Sequence, residues 1–287
     1  MNSICVVGSI YEDILPIQTD KIFAGKGFNQ AIAAARLGSK VYFVGVGDKE
    51  NGNKLDSLLK NEGVDTVIYQ SENALGRRIF TSENCHRYSH FRELGANLDL
   101  PFEIINDIDK SFDLYLATAD MQKDRVFKFF KKAKDKKRFT VLNGDIHWNG
   151  NWNEVYRNTD LIILSREELS FHFKESIKTY DKIKESIDFF IKSGVKYCVV
   201  TDGSNGVYLF GKGKNYFEKI ESKKIVDTWG ISDVFVAALC HRLALIQYID
   251  FDIIQNQISY SIKAAFKAAS RKGRFEKFPF MIELFYE

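Results

Sequence analysis

Several things are scarce in this sequence. Its four cysteines, Cys5, Cys85, Cys198 and Cys240, lie far apart, with no Cys-x-x-Cys pair and no histidine at zinc-ligand spacing beside them. Three sit in apolar stretches and read as reduced core residues. Charge of one sign is also missing, because 41 Lys and Arg face 38 Asp and Glu and leave a formal net charge of +3. That balance argues against nucleic acid or an acidic membrane as the main partner. No run approaches the roughly eighteen apolar residues of a membrane span, and no basic stretch followed by a long apolar segment opens the chain. Linkers, low-complexity tracts and internal repeats are absent. These absences lead to the expectation of a single unit over 1–287, in a reducing, cytoplasmic setting, with a small molecule as partner.

What is present is an apolar content of 45%, enough for a full core. Short runs rich in β-branched and aromatic residues recur at Ser3 to Gly8, Lys40 to Gly45, Phe112 to Ala117, Phe139 to Asn143, Asp160 to Leu164 and Val195 to Thr201. They read as buried parallel strands. Between them lie segments of helical period, such as Val126, Phe129, Phe130 and Ala133, or Ile183, Ile187, Phe190 and Ile191 closed by Gly194. Strand and helix in alternation predict an α/β fold with a doubly wound, mostly parallel sheet. Two stretches break the rhythm and read as antiparallel hairpins: Arg77 to Phe80 with Arg87 to Phe91, and Val207 to Phe210 with Asn215 to Phe217. The first is placed to stand off the sheet and cover a site, and the second to extend the sheet edge. Lys123 to Arg138 holds nine basic and two acidic residues, but its apolar face marks the solvated side of an ordinary helix.

Two nucleotide-binding signatures are missing. The first strand ends in Gly8-Ser9-Ile10-Tyr11-Glu12-Asp13, without the three spaced glycines of a dinucleotide fold, and no Gly-x-x-x-x-Gly-Lys-Ser/Thr stretch occurs. A phosphate cradle is available instead near the C-terminus, where Gly230-Ile231-Ser232 leads into the helical stretch Val234 to Ile246. Backbone N–H groups at a helix start stabilise negative charge on a phosphoryl group in transfer. Asp233 fits two roles there, a helix N-cap or a carboxylate that accepts a proton from an attacking hydroxyl. A second element, Ala24-Gly25-Lys26-Gly27-Phe28-Asn29-Gln30, runs into an Ala-rich helix ending at Gly38. It fits a ligand-approaching turn with Lys26 and Asn29 as donors, and equally a turn before a packing helix.

In order and spacing the two elements resemble the signatures of the ribokinase-like, or PfkB, carbohydrate kinases over nearly the whole chain. The family's Gly-Gly-Lys-Gly-x-Asn-Gln appears as Ala24 to Gln30 with one change, and its Asp-Thr-x-Gly-Ala-Gly-Asp as Asp227 to Asp233 with two. Gly8-Ser9-Ile10, Asp13, Leu94-Gly95-Ala96-Asn97 and Thr201-Asp202-Gly203-Ser204-Asn205-Gly206 agree with it. The resemblance implies ATP-dependent phosphorylation of a small sugar or sugar derivative by a monomer or homodimer. It implies Asp233 as base beside Gly230, Ile231 and Ser232, and Asp13, Gly25, Lys26, Asn29 and Asp120 on the sugar. Ser165, Glu168, Thr201, Gly203 and Gly206 would serve the nucleotide, with Glu168 in the Mg²⁺ network. Asp227 would stand beside a monovalent cation such as K⁺.

Three departures temper this. Ser232 replaces a glycine, and a serine held in a left-handed conformation would cost roughly 1–2 kcal/mol. Ser165 replaces the asparagine of the family's Asn-x-x-Glu. Tyr11 replaces an asparagine used on the sugar, and only eleven residues separate Asp13 from Gly25, where ribokinases carry a lid strand pair. The expectation is a reduced β lid from about 11–24 and 75–93, similar to that of the fructosamine 6-kinases. A catalytically weak or inactive ligand-binding or regulatory protein is the alternative reading.

Overall fold

The computed structural model describes residues 2–15, 21–80, 91–146, 148, 150–211, 213–221 and 224–285. Its strands are β1 Ser3–Val7, β2 Tyr11–Ile14, β3 Ile22–Ala24, β4 Lys40–Asp48, β5 Val64–Ser71, β6 Gly76–Ile79, β7 Phe91–Glu93, β8 Leu114–Thr118, β9 Phe139–Asn143, β10 Leu161–Ser165, β11 Tyr197–Thr201, β12 Gly206–Gly211 and β13 Lys214–Lys219. The α-helices are α1 Lys26–Arg36, α2 Gly52–Asn61, α3 Phe102–Asn106, α4 Lys123–Asp135, α5 Asn153–Arg157, α6 Arg166–Phe173, α7 Tyr180–Lys192, α8 Ile231–Ala244 and α9 Phe251–Ala269.

The main sheet runs β13-β12-β11-β10-β9-β8-β1-β4-β5. From β11 to β5 every neighbour is parallel, and β12 and β13 close one edge as an antiparallel hairpin. Alternate residues of one strand feed opposite cores. Ile4 and Val6 join α1, α2, α8 and α9 on one face, while Cys5 and Val7 join α4, α5, α6 and α7 on the other. Burial on both faces is why these strands read as continuous apolar runs. Cys5, Cys198 and Cys240 are buried free thiols, and Cys85 lies outside the described residues. The basic segment forms α4, with Val126, Phe129, Phe130 and Ala133 buried as its period predicts. Among the described residues no helix is long and apolar enough to cross a membrane.

Strand β5 has no counterpart in the sequence expectation. It is an edge strand whose outer positions, including Asp65 and Gln70, meet solvent, so it presents no continuous apolar run.

The lid also differs from expectation. The strand pair expected to be missing between Asp13 and Gly25 is present as β2 and β3, paired antiparallel. With β6 and β7 it makes a second, four-stranded sheet in the order β3-β2-β6-β7, which removes the reason for likening the lid to a shortened one. The return arm of the hairpin is Phe91–Glu93, while Arg87 to His90 lie outside the described residues. Leu15, Ile22 and Phe80 of the lid pack on Trp229, in the turn that precedes α8. The lid thus rests on that turn.

Asn97, buried at 1% exposure, fastens the lid to the sheet. Its Oδ1 accepts the Ile10 N–H at 2.9 Å, and its Nδ2 donates to the Ile10 and Leu94 carbonyls at 2.7 and 2.9 Å. Asn97→Ala leaves a buried N–H and a buried C=O unpaired. It should lower the unfolding free energy in urea by about 2–4 kcal/mol; a loss below roughly 0.5 kcal/mol would show that water replaces the amide.

Candidate active site

A cavity of about 360 Å³ opens beyond the C-terminal ends of β9, β10 and β11, between the lid and the start of α8. Crevices at this edge of a doubly wound sheet are where such folds bind ligands. Lys26, Asn29, Ser165, Glu168, Thr201, Gly203, Gly230, Ile231, Ser232 and Asp233 line it, together with Arg78, Phe80 and Arg92 from the lid.

Gly230 is the N-cap of α8 and holds the left-handed conformation of the turn, with φ 67°. A Cβ there would come within 2.9 Å of the Phe278 ring. Ser232 is the second residue of the helix, and among the described residues the only non-glycine residues at positive φ are Lys137 and Lys174. The strain expected at Ser232 is therefore absent, because the glycine two residues earlier takes the left-handed position. The N–H groups of Ile231, Ser232 and Asp233 fall in the first helical turn and have no acceptor inside the helix. They form an anion-binding terminus on the cavity wall.

Asp233 sits at the third helical position, which excludes the N-cap reading. Its carboxylate leaves its own helix and accepts from Asn29 Nδ2 at 2.8 Å and Gln30 Nε2 at 3.2 Å. Both donors lie in the first turns of α1, packed against α8. Gln30 is itself oriented by Asn143, whose Oδ1 accepts from it at 2.7 Å while its Nδ2 donates to the Ile163 carbonyl at 2.9 Å. Burial pushes the Asp233 carboxyl up to about 6, against the opposing pull of Lys26, the Asn29 amide and Arg78. It titrates just below neutrality.

Lys26 donates to the Gly144 carbonyl at 2.7 Å and pairs with Glu168. Burial alone would lower its ammonium, but Glu168, Asp145 and Asp233 outweigh burial and hold it above the usual lysine range. Glu168 is raised by burial, with Lys26 opposing. Ser165, which lacks the amide of the family motif, closes a capping box: its Oγ accepts the Glu168 N–H at 3.1 Å and its N–H donates to Glu168 at 2.7 Å. The serine thus orients Glu168 by a different bond. Among the described residues no group of three metal-ligating side chains gathers.

The remaining expected residues stand behind the cavity wall. Both oxygens of Asp13 are taken by Arg78, at 2.6 and 2.7 Å, so the guanidinium lines the cavity in front of the acid. Asp120 accepts from Ser9 Oγ at 2.5 Å, and Arg92 bridges toward it from Asp145. Gly25, with φ 140°, caps α1 and lets it abut the Ser9 carbonyl, which a Cβ would strike at 2.3 Å. Gly206 is required by the hairpin, where a Cβ would meet the Glu218 carbonyl at 2.4 Å, and its backbone does not line the cavity. Thr201 and Gly203 do.

Asp227 binds the Trp229 N–H at 2.8 Å and the Gly273 N–H at 3.3 Å. A lysine ammonium, Lys277 Nζ, lies 3.2 Å from its carboxylate and donates to its carbonyl at 3.2 Å. A K⁺ on the same oxygens would stand about 4 Å from that ammonium, a repulsion of roughly 4 kcal/mol at an effective dielectric constant near 20. The residues present do not fit a monovalent metal ion there.

Gln30, Asn143, Arg78 and Arg92 were not singled out as site residues by the sequence. Neither was the apolar slot of Val207, Ile220, Ile225, Ile262, Ala265 and Phe266 beside Gly203, which suits a flat base. Ile262, Ala265 and Phe266 have the spacing of any core helix along α9, and Val207, Ile220 and Ile225 come to them only through the fold.

The comparisons with known proteins agree with this fold. A family model described as pfkB family carbohydrate kinase matches residues 1–273. The chain is 40% identical over 267 residues to the ribokinase of Bacillus subtilis, a match spanning 85% of this chain and 86% of that protein. The structure of Arabidopsis thaliana ribokinase complexed with ribose and ATP superposes with a TM-score of 0.81 at 22% identity, covering 100% of this chain and 99% of the other. A fructokinase double mutant from Vibrio cholerae O395, in a fructose, ADP and potassium ion bound form, gives a TM-score of 0.82 at 18% identity, with 99% and 97% covered.

Gly230→Ala should destabilise the chain by roughly 1–2 kcal/mol, because alanine is forced to positive φ. Ser232→Gly should bring no gain and a loss of up to about 0.5 kcal/mol, as glycine in a helix does. Thermal or urea unfolding of the two variants checks this; a rise in stability for Ser232→Gly would place the strain at Ser232 after all.

Proposed function

Because the chain belongs to the pfkB family of carbohydrate kinases, we propose that it transfers the γ-phosphoryl group of ATP to a hydroxyl of a small sugar or sugar derivative, with Asp233 as general base. One observation carries the reading: a buried carboxylate and the acceptor-free N–H groups of a helix terminus face the same cavity from one helical turn. The attacking hydroxyl must lose a proton while the migrating phosphoryl group gains negative charge, and this turn answers both needs.

The substrate hydroxyl gives its proton to Asp233, held in place by Asn29 and Gln30. A carboxylate that titrates near 6 is a better base than one at its ordinary value and is mostly ionised at neutral pH. The N–H groups of Ile231 and Ser232 hold the developing charge, and the Lys26 ammonium adds a fixed positive charge beside them. On the sugar side the cavity wall carries the guanidiniums of Arg78 and Arg92 and the amide of Asn29, groups that sugar hydroxyls, which donate and accept, would meet. The lid excludes water from the cavity, which would otherwise take the phosphoryl group.

Glu168, with Glu167 and Asp145 also on the cavity wall, would face the phosphates of ATP, whose charge a bound Mg²⁺ would neutralise. The features that motivated a non-catalytic sensor weigh less in the folded chain. Ser232 is unstrained, and Ser165 orients Glu168 through the capping box.

ADP release should be measured across a panel of sugars with Mg-ATP. Asp233→Asn should lower kcat by about 10²- to 10⁴-fold with sugar affinity changed little. In the unaltered protein kcat/KM should rise with pH through about 6 and then level, since the deprotonated carboxylate is the reactive form; the variant should lack that limb. Equal turnover in the variant refutes the base assignment. Sugar binding by calorimetry with neither ATP binding nor turnover would return the protein to the regulatory reading.

A further inference from the structure

We propose that the Lys277 ammonium is a built-in cation that holds the anion-binding turn in its working shape, so that this protein needs no monovalent metal ion. The Lys277 side chain has 0% exposure, so its charge is fully removed from water and must be matched inside the protein. Asp227 matches it with both a carboxylate oxygen and its own carbonyl. The same carboxylate oxygen accepts the Trp229 N–H, one residue before Gly230 and the start of α8. A single carboxylate oxygen therefore bridges the buried ammonium and the turn that carries the free N–H groups.

The rest of the C-terminal segment reinforces this clamp. The Gly273 N–H takes the other oxygen of Asp227, and the N–H groups of Val226 and Asp227 both bond the Ala269 carbonyl. The Arg274 guanidinium lies over the Trp229 ring at 3.9 Å, and the Phe278 ring occupies the space a Cβ on Gly230 would need. Arg36, at the end of α1, fixes the segment by donating to the carbonyls of Phe275, Glu276 and Phe278 at 2.8, 3.0 and 3.1 Å. The helix whose first turns orient Asp233 also anchors, at its last turn, the segment that delivers the cation. An ammonium supplies the same unit charge as an alkali ion and, unlike the ion, cannot dissociate.

The test reads cation dependence in two ways, at constant ionic strength, with K⁺ exchanged for choline. The thermal unfolding midpoint of the whole chain is one readout, and ADP release is the other. The unaltered protein should show the same midpoint and rate in both salts. Lys277→Ala should have a lower midpoint and a rate reduced by about 10²-fold in choline, and K⁺ should restore a substantial part of both. Lys277→Met, which keeps the stem and its packing, serves if the alanine variant does not fold, and should show the lowered midpoint. The inference is overturned if K⁺ raises the midpoint or rate of the unaltered protein in a saturable way, or if either variant matches it in choline. The rate readout rests on the kinase reading, whereas the midpoint does not. A protein without turnover but with a K⁺-indifferent midpoint would thus refute the kinase reading alone.

Discussion

Asp233 carries a carboxylate whose charge burial opposes, and much of the local structure of the site serves to hold that carboxylate at the cavity wall. Two side-chain amides meet its oxygens, Lys26 lies near enough to favour its ionised form, and the positive end of α8 begins in the same turn. None of these makes a direct ion pair with it. Asp13, by contrast, has both oxygens engaged by the Arg78 guanidinium, which stands between it and the cavity. Amides hold Asp233 in place while leaving its basicity raised by burial.

That requirement propagates outward. Amides from α1 reach α8 only if the two helices pack side by side on one face of the sheet, and α1 can begin there only because Gly25 lets it lie against the end of β1. The turn before α8 needs Gly230 at positive φ, and it is gripped on one side by the lid, through Phe80 on Trp229, and on the other by the C-terminal segment. The lid is thus part of the scaffold of the anion site as well as its cover.

Charge is balanced in layers around the cavity. Arg78 faces it with Asp13 behind, Arg92 with Asp145 and Asp120, Lys26 with Glu168, and at the base of the turn Lys277 answers Asp227. Each pair is largely buried, and each would be expensive to break by removing one partner. Arginines so anchored keep their remaining N–H groups at fixed positions on the cavity wall.

Much of this was legible in the sequence by itself. Periodicity located six of the parallel strands and the edge hairpin, since burial on both faces or on one leaves its mark in every residue of an element. The two glycine-containing stretches pointed to Lys26, Asn29 and Asp233, because the backbone of such turns tolerates few residues. Whether Asp233 caps its helix was not legible, because that depends on where α8 begins and where the side chain points, and its direction is set by α1, more than two hundred residues away. The apparent defect at Ser232 dissolved for a similar reason, as the position of the left-handed residue depends on where the helix begins. The strands β2 and β3 are four and three residues long, too short for any period to show, and exist because β6 pairs with one of them. Lys277 was not singled out by the sequence at all; only the folded chain brings it to Asp227, since a cation's partner is chosen by distance in space and leaves no trace in spacing along the chain.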